Sequence, residues 1–286
     1  MEKGKDAILM TGATGQQGGA IARELLSRGH PVAAMTRNPA GEPAKSLEAA
    51  GARIIQGDLD DPTSLHRAVQ GMWGIFAVQN TWEAGVAHEE VQGKRMAEIA
   101  QAAGARHYVY SSVAAAERQT GIPHFDNKWR VEEHVRAVGF PSFTILRPVF
   151  FMDNFLSPWY KPAIDDGKLT VSIRPEARLQ MIAVADIGKY GALAFEDHDR
   201  LNGRAISIAG DEMTMPEVAK VLGAAAGKPV AFEPTPIEQV RQFSEDLAIM
   251  LEWFDSVGYD VDIAGNSQEY GIEPTTFATW AAAMDW

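Results

Sequence analysis

Residues 7–19 read Ala-Ile-Leu-Met-Thr-Gly-Ala-Thr-Gly-Gln-Gln-Gly-Gly, an apolar run followed by three glycines at intervals of three residues. Residues 8–10 are typical of a buried parallel strand, and the pattern after the glycines predicts a helix over residues 20–28. Glycines at such a junction allow a tight turn, a close approach of the backbone to a pyrophosphate, and close packing of helix on strand. The exposed N–H groups and the helix dipole would then hold the anion. The spacing is G-x-x-G-x-x-G rather than G-x-G-x-x-G, so its surroundings decide how it is interpreted.

A second strand is expected at residues 32–36, after a Gly-His-Pro turn, and completes a strand-helix-strand unit. An NAD-selective site usually places Asp or Glu at the end of this strand to accept a hydrogen bond from the ribose 2′-hydroxyl. This chain has Arg37 and Asn38 instead. Arg37 stands 19 residues after Gly18 (37 − 18), and its planar donor fork suits a 2′-phosphate. The sequence therefore predicts NADP(H) as the cofactor, with an ordinary surface arginine as the alternative.

Strand and helix patterns then alternate as in a doubly wound parallel sheet. Further strands are expected at residues 53–56, 74–78, 107–110 and 143–146, and helices at 62–70, 84–103 and 125–138. The helix over 84–103 is expected to carry Glu89, Lys94 and Glu98 on its polar side. After residue 150 prolines and glycines loosen the pattern. There, residues 181–184 are expected to return to the main sheet, and residues 205–208 to continue outward.

These patterns predict an α/β fold: a Rossmann-type doubly wound parallel sheet with a smaller C-terminal α+β domain. We expect the NADP-binding Rossmann domain to span residues 1–153, with a return segment at about 181–197. The smaller substrate or partner domain would then comprise residues 154–180 and 198–286.

The composition excludes several classes of function. The 286 residues carry a net charge of −12 and no cysteine. The acidic balance argues against direct nucleic-acid binding, and the absence of cysteine excludes disulfides and thiolate chemistry. The seven histidines show no metal-ligand spacing, so no metal is expected. No apolar stretch has the length of a signal peptide or a membrane span. We expect a cytoplasmic protein, monomeric or homodimeric, that does not bind membranes.

Six short motifs carry more specific information. They are Thr11–Gly19 (TGATGQQGG), Thr36–Pro39 (TRNP), Gly57–Leu59 (GDL), Val109–Ser112 (VYSS), Pro123–Lys128 (PHFDNK) and Arg147–Asn154 (RPVFFMDN). With these motifs in this order, the chain resembles the NmrA-like family of atypical short-chain dehydrogenases/reductases over almost its whole length. The resemblance implies a large nucleotide-binding domain, a small C-terminal domain, and NADP(H) in the crevice at the carboxyl ends of the strands.

The resemblance also implies roles for individual residues around NADP(H). These are Gly12, Thr14, Gly15, Gln16, Gln17 and Gly18 at the pyrophosphate, Arg37 and Asn38 at the 2′-phosphate, Asp58 and Leu59 near the adenine, Gln79 and Asn80 on the path to the nicotinamide, and Pro148 and Phe151 beside its ring. Ser111 is expected at the cofactor too, although a serine at a strand end equally caps the next segment.

The catalytic motif departs from the family pattern. Short-chain dehydrogenases typically carry Tyr-x-x-x-Lys, in which the tyrosine donates a proton and the lysine binds the nicotinamide ribose. This chain retains the lysine as Lys128, but His124 stands at the tyrosine position. A spacing of four keeps both side chains on one helix face, and histidine can act as an acid or base near neutral pH. His124 and Lys128 are therefore the candidate catalytic residues, with capping and surface roles as the alternatives.

Two functions remain open. The first is an NADPH-dependent reductase of a small carbonyl, quinone or enone, in which Lys128 orients the ribose and His124 or water supplies the proton. The second is a non-catalytic NADP(H) redox sensor that signals through a protein partner. The missing tyrosine favours the sensor, whereas the retained lysine and the pocket-forming residues 150–181 favour the reductase. Accordingly, the expected partner is either a small-molecule substrate or a regulated protein.

Overall fold

The computed structural model describes residues 7–286, in which strands and helices alternate. The strands are β1 Ile8–Met10, β2 Val32–Thr36, β3 Arg53–Gln56, β4 Gly74–Ala77, β5 His107–Ser111, β6 Phe143–Pro148, β7 Phe150–Phe151, β8 Lys168–Leu169, β9 Arg178–Ile182, β10 Ala205–Ile208, β11 Asp211–Thr214 and β12 Ala231–Phe232. The α-helices are α1 Gln16–Ser27, α2 Glu42–Ala49, α3 Pro62–Ala68, α4 Thr81–Ala84, α5 Val86–Ala102, α6 Pro123–Val138, α7 Lys161–Asp165, α8 Val184–Glu196, α9 Met215–Ala225, α10 Ile237–Phe243, α11 Glu245–Ser256, α12 Ile263–Tyr270 and α13 Phe277–Ala282. Among these helices, none has both the length and the apolar character that a membrane span requires.

Seven strands form one parallel sheet in the order β10-β6-β5-β4-β1-β2-β3. Strand β1 lies inside the sheet. From β1 the chain adds β2 and then β3 at one edge, and it crosses back to β4 to build the other side of the sheet. In the register, Met10 of β1 lies between Ala34 of β2 and Phe76 of β4. These three strands are buried throughout, as strands covered by helices on both faces must be. The Rossmann-type doubly wound fold is confirmed.

The chain divides into two compact units. Unit 1 comprises the residues up to Glu117 together with His124–Arg147 and Ile187–Ile206, and unit 2 comprises Arg118–Pro123, Pro148–Asp186 and Ser207–Trp286. Unit 2 contains a three-stranded sheet in the order β11-β9-β7 and a parallel pair of β8 and β12. Its core is aromatic: the buried ring of Phe155 contacts those of Phe150 and Phe277 at centroid distances of 5.7 and 5.5 Å.

Two segments after residue 180 lie in other sheets than the sequence predicts. Residues 181–184 do not return to the main sheet, because Met181 and Ile182 end β9, which pairs with β11 and β7. The strand that completes the main sheet is β10. The sequence analysis expects these residues, 205–208, to continue outward instead. The Ile145 N–H of β6 donates to the Arg204 carbonyl just before β10, at 2.9 Å. Both predictions were wrong because a short apolar run identifies a strand without identifying its neighbour.

The helix expected over residues 84–103 corresponds to α5, which begins at Val86, and the short helix α4 precedes it. The two are separated by Gly85, whose φ of +80° lies in the left-handed region that favours glycine. Asn80 Oδ1 accepts from the Trp82 N–H at 3.1 Å and caps α4. At the other end of α5, Gly104 has φ +82° and donates to the Gln101 carbonyl at 2.9 Å, so a glycine ends this helix.

A buried histidine makes the stability of unit 1 depend on pH. Burial, assisted by the nearby charge of His198, lowers the pKa of His107 from 6.5 to about 3. The unfolded chain takes up a proton near pH 6.5 while the folded chain does not until about pH 3, so this contribution to stability is complete above pH 6.5 and is lost as the pH falls. We expect His107→Asn, which cannot be protonated in this range, to flatten the decline of Tm below pH 6.5. Thermal unfolding of both proteins at a series of pH values checks this, and parallel curves would contradict it.

Candidate functional site

The glycines between β1 and α1 are in close contact. A Cβ atom added to Gly18 would lie 2.4 Å from the Gly12 carbonyl oxygen and 2.9 Å from that of Thr11. No residue with a side chain fits at this position without displacing the backbone. Gly12 itself has φ +57°, and its Cβ would lie 2.7 Å from Val78 Cγ1. These two glycines allow α1 to begin directly at the end of β1, four residues before the predicted start.

The N-terminus of α1 is open to an anion. Its N-cap residue is Gly15, no side chain caps it, and its first turn contains no acidic residue. The first N–H groups of an α-helix have no partner within the helix, so those of Gln16 and Gln17 are available to a ligand, assisted by the helix dipole. Gly12, Thr14, Gly15 and Gln16 are all exposed. The predicted pyrophosphate residues are therefore brought together at one accessible helix end.

A pocket of about 350 Å³ adjoins the end of β2. It is lined by Arg37, Gln56, Gly57, Asp58, Asp61, Ser64 and Arg67. The exposed Arg37 guanidinium donates to Glu83 Oε2 at 2.8 Å. Arg67 belongs to α3, and the sequence analysis missed it because a basic residue in a surface helix has no distinguishing pattern. The pocket thus holds Arg37 and Asp58, which were predicted, and a second guanidinium that was not.

Backbone groups already engage the two carboxylates of this pocket. Asp61 Oδ1 accepts from the Thr63 N–H at 2.9 Å and caps α3. Asp58 Oδ1 accepts from the Asp60 N–H at 3.0 Å. These hydrogen bonds hold both carboxylates in place, and the guanidinium groups of Arg37 and Arg67 supply the positive charge that attracts an anion to the pocket.

The remaining predicted residues on the adenine side lie at the ends of β2 and β3. Asn38 is exposed, and its N–H donates to Thr36 Oγ1 at 3.2 Å. The Leu59 carbonyl accepts from Arg95 Nη1 at 2.9 Å. Their contacts with a cofactor stay predictions.

Gln79 and Asn80 both follow β4, but the first side chain is buried and the second is exposed. Gln79 is 4% exposed, and neither amide atom has a hydrogen-bond partner among residues 7–286. Its Oε1 would lie 3.2 Å from a Cβ on Gly93, so the side chain faces α5. Asn80 is exposed and caps α4. A role for either at the nicotinamide stays a prediction.

Ser111 links the end of β5 to the glycine loop. Its buried hydroxyl donates to Gln17 Oε1 at 2.6 Å. Gln17 belongs to the first turn of α1, so the structure brings together two predicted site residues that are 94 positions apart in the chain.

Glu89 of α5 is completely buried, although the sequence analysis expects it on the polar side of this helix. Its carboxylate accepts hydrogen bonds from Lys128 Nζ at 2.6 Å, from Asn127 Nδ2 at 2.7 Å and from Thr81 Oγ1. The side chain of Lys128 is 12% exposed, and its ammonium lies 6.0 Å from the Tyr110 ring centroid. This cluster joins α5, α6 and the start of α4. Sequence reasoning missed Glu89 because only the folded chain brings α6 over it.

His124 lies on α6 one turn before Lys128, as predicted, but it packs among aromatic rings. It is 7% exposed, and its ring centroid lies 5.5 Å from that of Trp82 and 4.8 Å from that of Phe125. Tyr110 does not replace the missing tyrosine, because its side chain is fully buried and burial raises its pKa well above 10. A role for His124 as proton donor stays a prediction.

Two predicted nicotinamide contacts belong to unit 2. Pro148 ends β6, and Phe151 pairs with Ile182 of β9. Their positions beside the nicotinamide stay predictions. Within residues 7–286, no group of three or more His, Cys, Asp or Glu side chains is arranged to hold a metal ion.

The sequence model of the NmrA-like family matches residues 4–281. The chain belongs to this family. A relative from Streptomyces griseus, a (4-alkanoyl-5-oxo-2,5-dihydrofuran-3-yl)methyl phosphate reductase, is 31% identical over 238 residues, which are 82% of this chain and 79% of the relative. An NmrA-like family domain-containing oxidoreductase of Cladobotryum is 28% identical, covering 79% of this chain and 75% of the relative.

Solved structures share the fold at low identity. The triphenylmethane reductase of Citrobacter, complexed with NADP(H), has a TM-score of 0.79 at 20% identity and covers 97% of this chain and 99% of its own. NmrA, a negative transcriptional regulator solved with NAD, has a TM-score of 0.80 at 20% identity, covering 98% and 95%. An NADPH-dependent quinone oxidoreductase of Escherichia coli has a TM-score of 0.78 at 23% identity, covering 96% and 98%.

The Glu89–Lys128 pair predicts an asymmetric effect on stability. Lys128→Met leaves the buried carboxylate of Glu89 without its cation, so we expect a loss of about 3 to 5 kcal/mol in the free energy of unfolding. The double variant Glu89→Gln with Lys128→Met removes both charges and should recover most of that loss. Urea unfolding of the three proteins measures the difference. A Lys128→Met variant as stable as the wild type would show that the pair is not closed in solution.

Proposed function

We propose that this protein binds NADP(H) and is an NADPH-dependent reductase of a small conjugated carbonyl compound, such as an enone or a quinone. The observation that carries the proposal is the uncapped N-terminus of α1, which follows a loop whose glycines at positions 12 and 18 leave no room for a side chain. That arrangement provides N–H groups and a positive dipole end for a pyrophosphate. The relatives named as oxidoreductases and reductases support the class of reaction.

The choice of NADP(H) over NAD(H) rests on Arg37. The end of β2 carries its guanidinium where an NAD site would carry a carboxylate, and Arg67 lines the same pocket. A 2′-phosphate in this pocket would meet both guanidinium groups and would replace Glu83 as the partner of Arg37. The neighbours in the fold do not decide this, because NmrA itself was solved with NAD and with NADP.

The absence of a catalytic tyrosine favours conjugated acceptors. Hydride addition to a simple ketone leaves a strongly basic alkoxide, which needs a positioned acid. Hydride addition to an enone or quinone leaves an anion delocalised onto oxygen, which water can protonate. The named acceptors of the quinone oxidoreductase and of the Streptomyces reductase are consistent with such chemistry. We therefore propose that solvent supplies the proton and that Lys128 contacts the nicotinamide ribose.

Arg37→Ala tests the cofactor assignment. We expect NADPH affinity to fall about 10- to 100-fold, the range of a lost charge-assisted contact, with NADH affinity almost unchanged. Arg130→Ala is a matched control, because Arg130 is also an exposed arginine paired with one glutamate, Glu90, at 2.7 Å. Calorimetric titration of both cofactors into each variant makes the comparison. Equal losses for NADPH and NADH would remove Arg37 from the 2′-phosphate site.

Turnover tests the reaction, and His124→Phe tests the source of the proton. We expect NADPH oxidation with quinones and enones, and a His124→Phe variant that keeps its rate within about threefold. A positioned acid contributes roughly 10²- to 10⁴-fold, so a loss of that size would assign the proton to His124. Absorbance of NADPH against a panel of acceptors, with simple aldehydes as the comparison, gives both answers.

The second candidate is a non-catalytic NADP(H) redox sensor that signals through a protein partner. It is favoured by the packing of His124 between Trp82 and Phe125, which suits a structural residue better than an acid. Tight NADPH binding with no turnover on any acceptor would support it. In that case, NADPH and NADP⁺ should protect the residues after Arg147 from proteolysis to different extents.

A further inference from the structure

We infer that Glu89 is a positioning residue: its buried carboxylate holds the ammonium of Lys128 in place so that the remaining N–H groups of Lys128 are presented to the nicotinamide ribose. The inference rests on the proposed binding of NADPH and adds a residue to it. Nothing in the sequence motifs points to Glu89, because it lies in a helix outside all of them.

The pair has one fully buried member and one accessible member. Glu89 is fully buried, whereas 12% of the Lys128 side chain is exposed, so Lys128 is the member of the pair that a ligand can reach. An ammonium has three N–H donors. Glu89 Oε1 takes one at 2.6 Å, and the 6.0 Å separation from the Tyr110 ring centroid makes at most a weak cation–π contact. Two donors are left for the hydroxyl groups of a ligand.

The other carboxylate oxygen fixes Glu89 itself. Glu89 Oε2 accepts from Asn127 Nδ2 at 2.7 Å and from Thr81 Oγ1. Asn127 precedes Lys128 on α6, and Thr81 is the first residue of α4, after the short loop that follows β4. The carboxylate is therefore held a second time by α6 and also by α4, so it cannot rotate freely. A lysine side chain loses much rotamer freedom on binding, and an ammonium held in advance has already lost it.

Stability alone does not account for this arrangement. A buried ion pair contributes little net stability compared with apolar residues of similar volume, because both charges lose their hydration. The next residue, Glu90, shows the contrast. It forms ion pairs with Lys94 at 2.6 Å and Arg130 at 2.7 Å on the partly exposed side of α5. Glu90→Gln is therefore a matched control: the same chemical change, one residue away, without contact with Lys128.

Calorimetry of Glu89→Gln with two ligands tests the inference. NADPH carries the nicotinamide ribose, and adenosine 2′,5′-bisphosphate lacks it. We expect Glu89→Gln to weaken NADPH by about tenfold, the scale of a lost hydrogen bond to a charged group, and to leave the bisphosphate within about twofold of the wild type. Glu90→Gln should change neither. The variant should fold, because the unpartnered Asn127 Oδ1 can accept from the new amide after a flip.

The other outcomes are distinct. Unchanged NADPH affinity in Glu89→Gln would overturn the inference, and so would equal losses for both ligands, since those indicate a general structural role. A wild type that binds neither ligand would overturn the proposed function as well. If Glu89→Gln does not fold, Glu89→Asp keeps the charge and withdraws it by one methylene. We then expect a smaller loss for NADPH alone, and wild-type NADPH affinity would contradict the inference.

Discussion

The close approach of Gly18 to the Gly12 carbonyl is the constraint on which the candidate site depends. A Cβ at position 18 would lie 2.4 Å from that oxygen, so α1 can begin at the end of β1 only with glycine there. The approach keeps the first turn of α1 at the carboxyl edge of the sheet, where its N–H groups have no partner in the helix. Ser111, the last residue of β5, donates to Gln17 Oε1 at 2.6 Å and so connects that turn to the end of β5.

A second constraint lies farther along unit 1, where a carboxylate is buried. The carboxylate of Glu89 accepts hydrogen bonds from Lys128, Asn127 and Thr81, so α4, α5 and α6 meet at one charged group. Such a group needs all of its partners, because removing a cation leaves an uncompensated charge in a dry interior. The N–H groups that follow the glycine loop can bind an anion, whereas this cluster holds the ammonium of Lys128. The two together suit a dinucleotide that has a charged bridge at one point and sugar hydroxyls at another.

The sequence predicts the features that depend on local residue patterns, and it misses those that depend on contacts between distant residues. Strands β1, β2 and β3 have the predicted bounds, because short apolar runs between turn signals are a local property. The sheet to which residues 181–184 belong was predicted wrongly, because strand pairing is not local. Glu89 was predicted on the polar side of its helix together with Glu98, but nine residues at about 100° each place the two on opposite sides of α5. Glu89 is buried there, whereas the side chain of Glu98 is 62% exposed. Arg67 enters the pocket beside Arg37 through the path of α3, for which the residue type gives no signal.

Binding of NADPH to a Gly15→Asp variant is the measurement that tests the central claim, that the N-terminus of α1 receives the pyrophosphate. Aspartate is a preferred N-cap residue, and the backbone at Gly15, with φ −91°, lies outside the left-handed region. A Cβ there would lie 3.3 Å from the Gly12 carbonyl oxygen, so the loop must shift by a few tenths of an ångström, and thermal unfolding of the variant checks that it folds. The account predicts that calorimetry finds NADPH bound to the wild type and at least about 30-fold weaker in the variant, because the new carboxylate occupies the N–H groups and repels the pyrophosphate. The fold should stay as stable as before. A folded variant that binds NADPH as tightly as the wild type would contradict the claim.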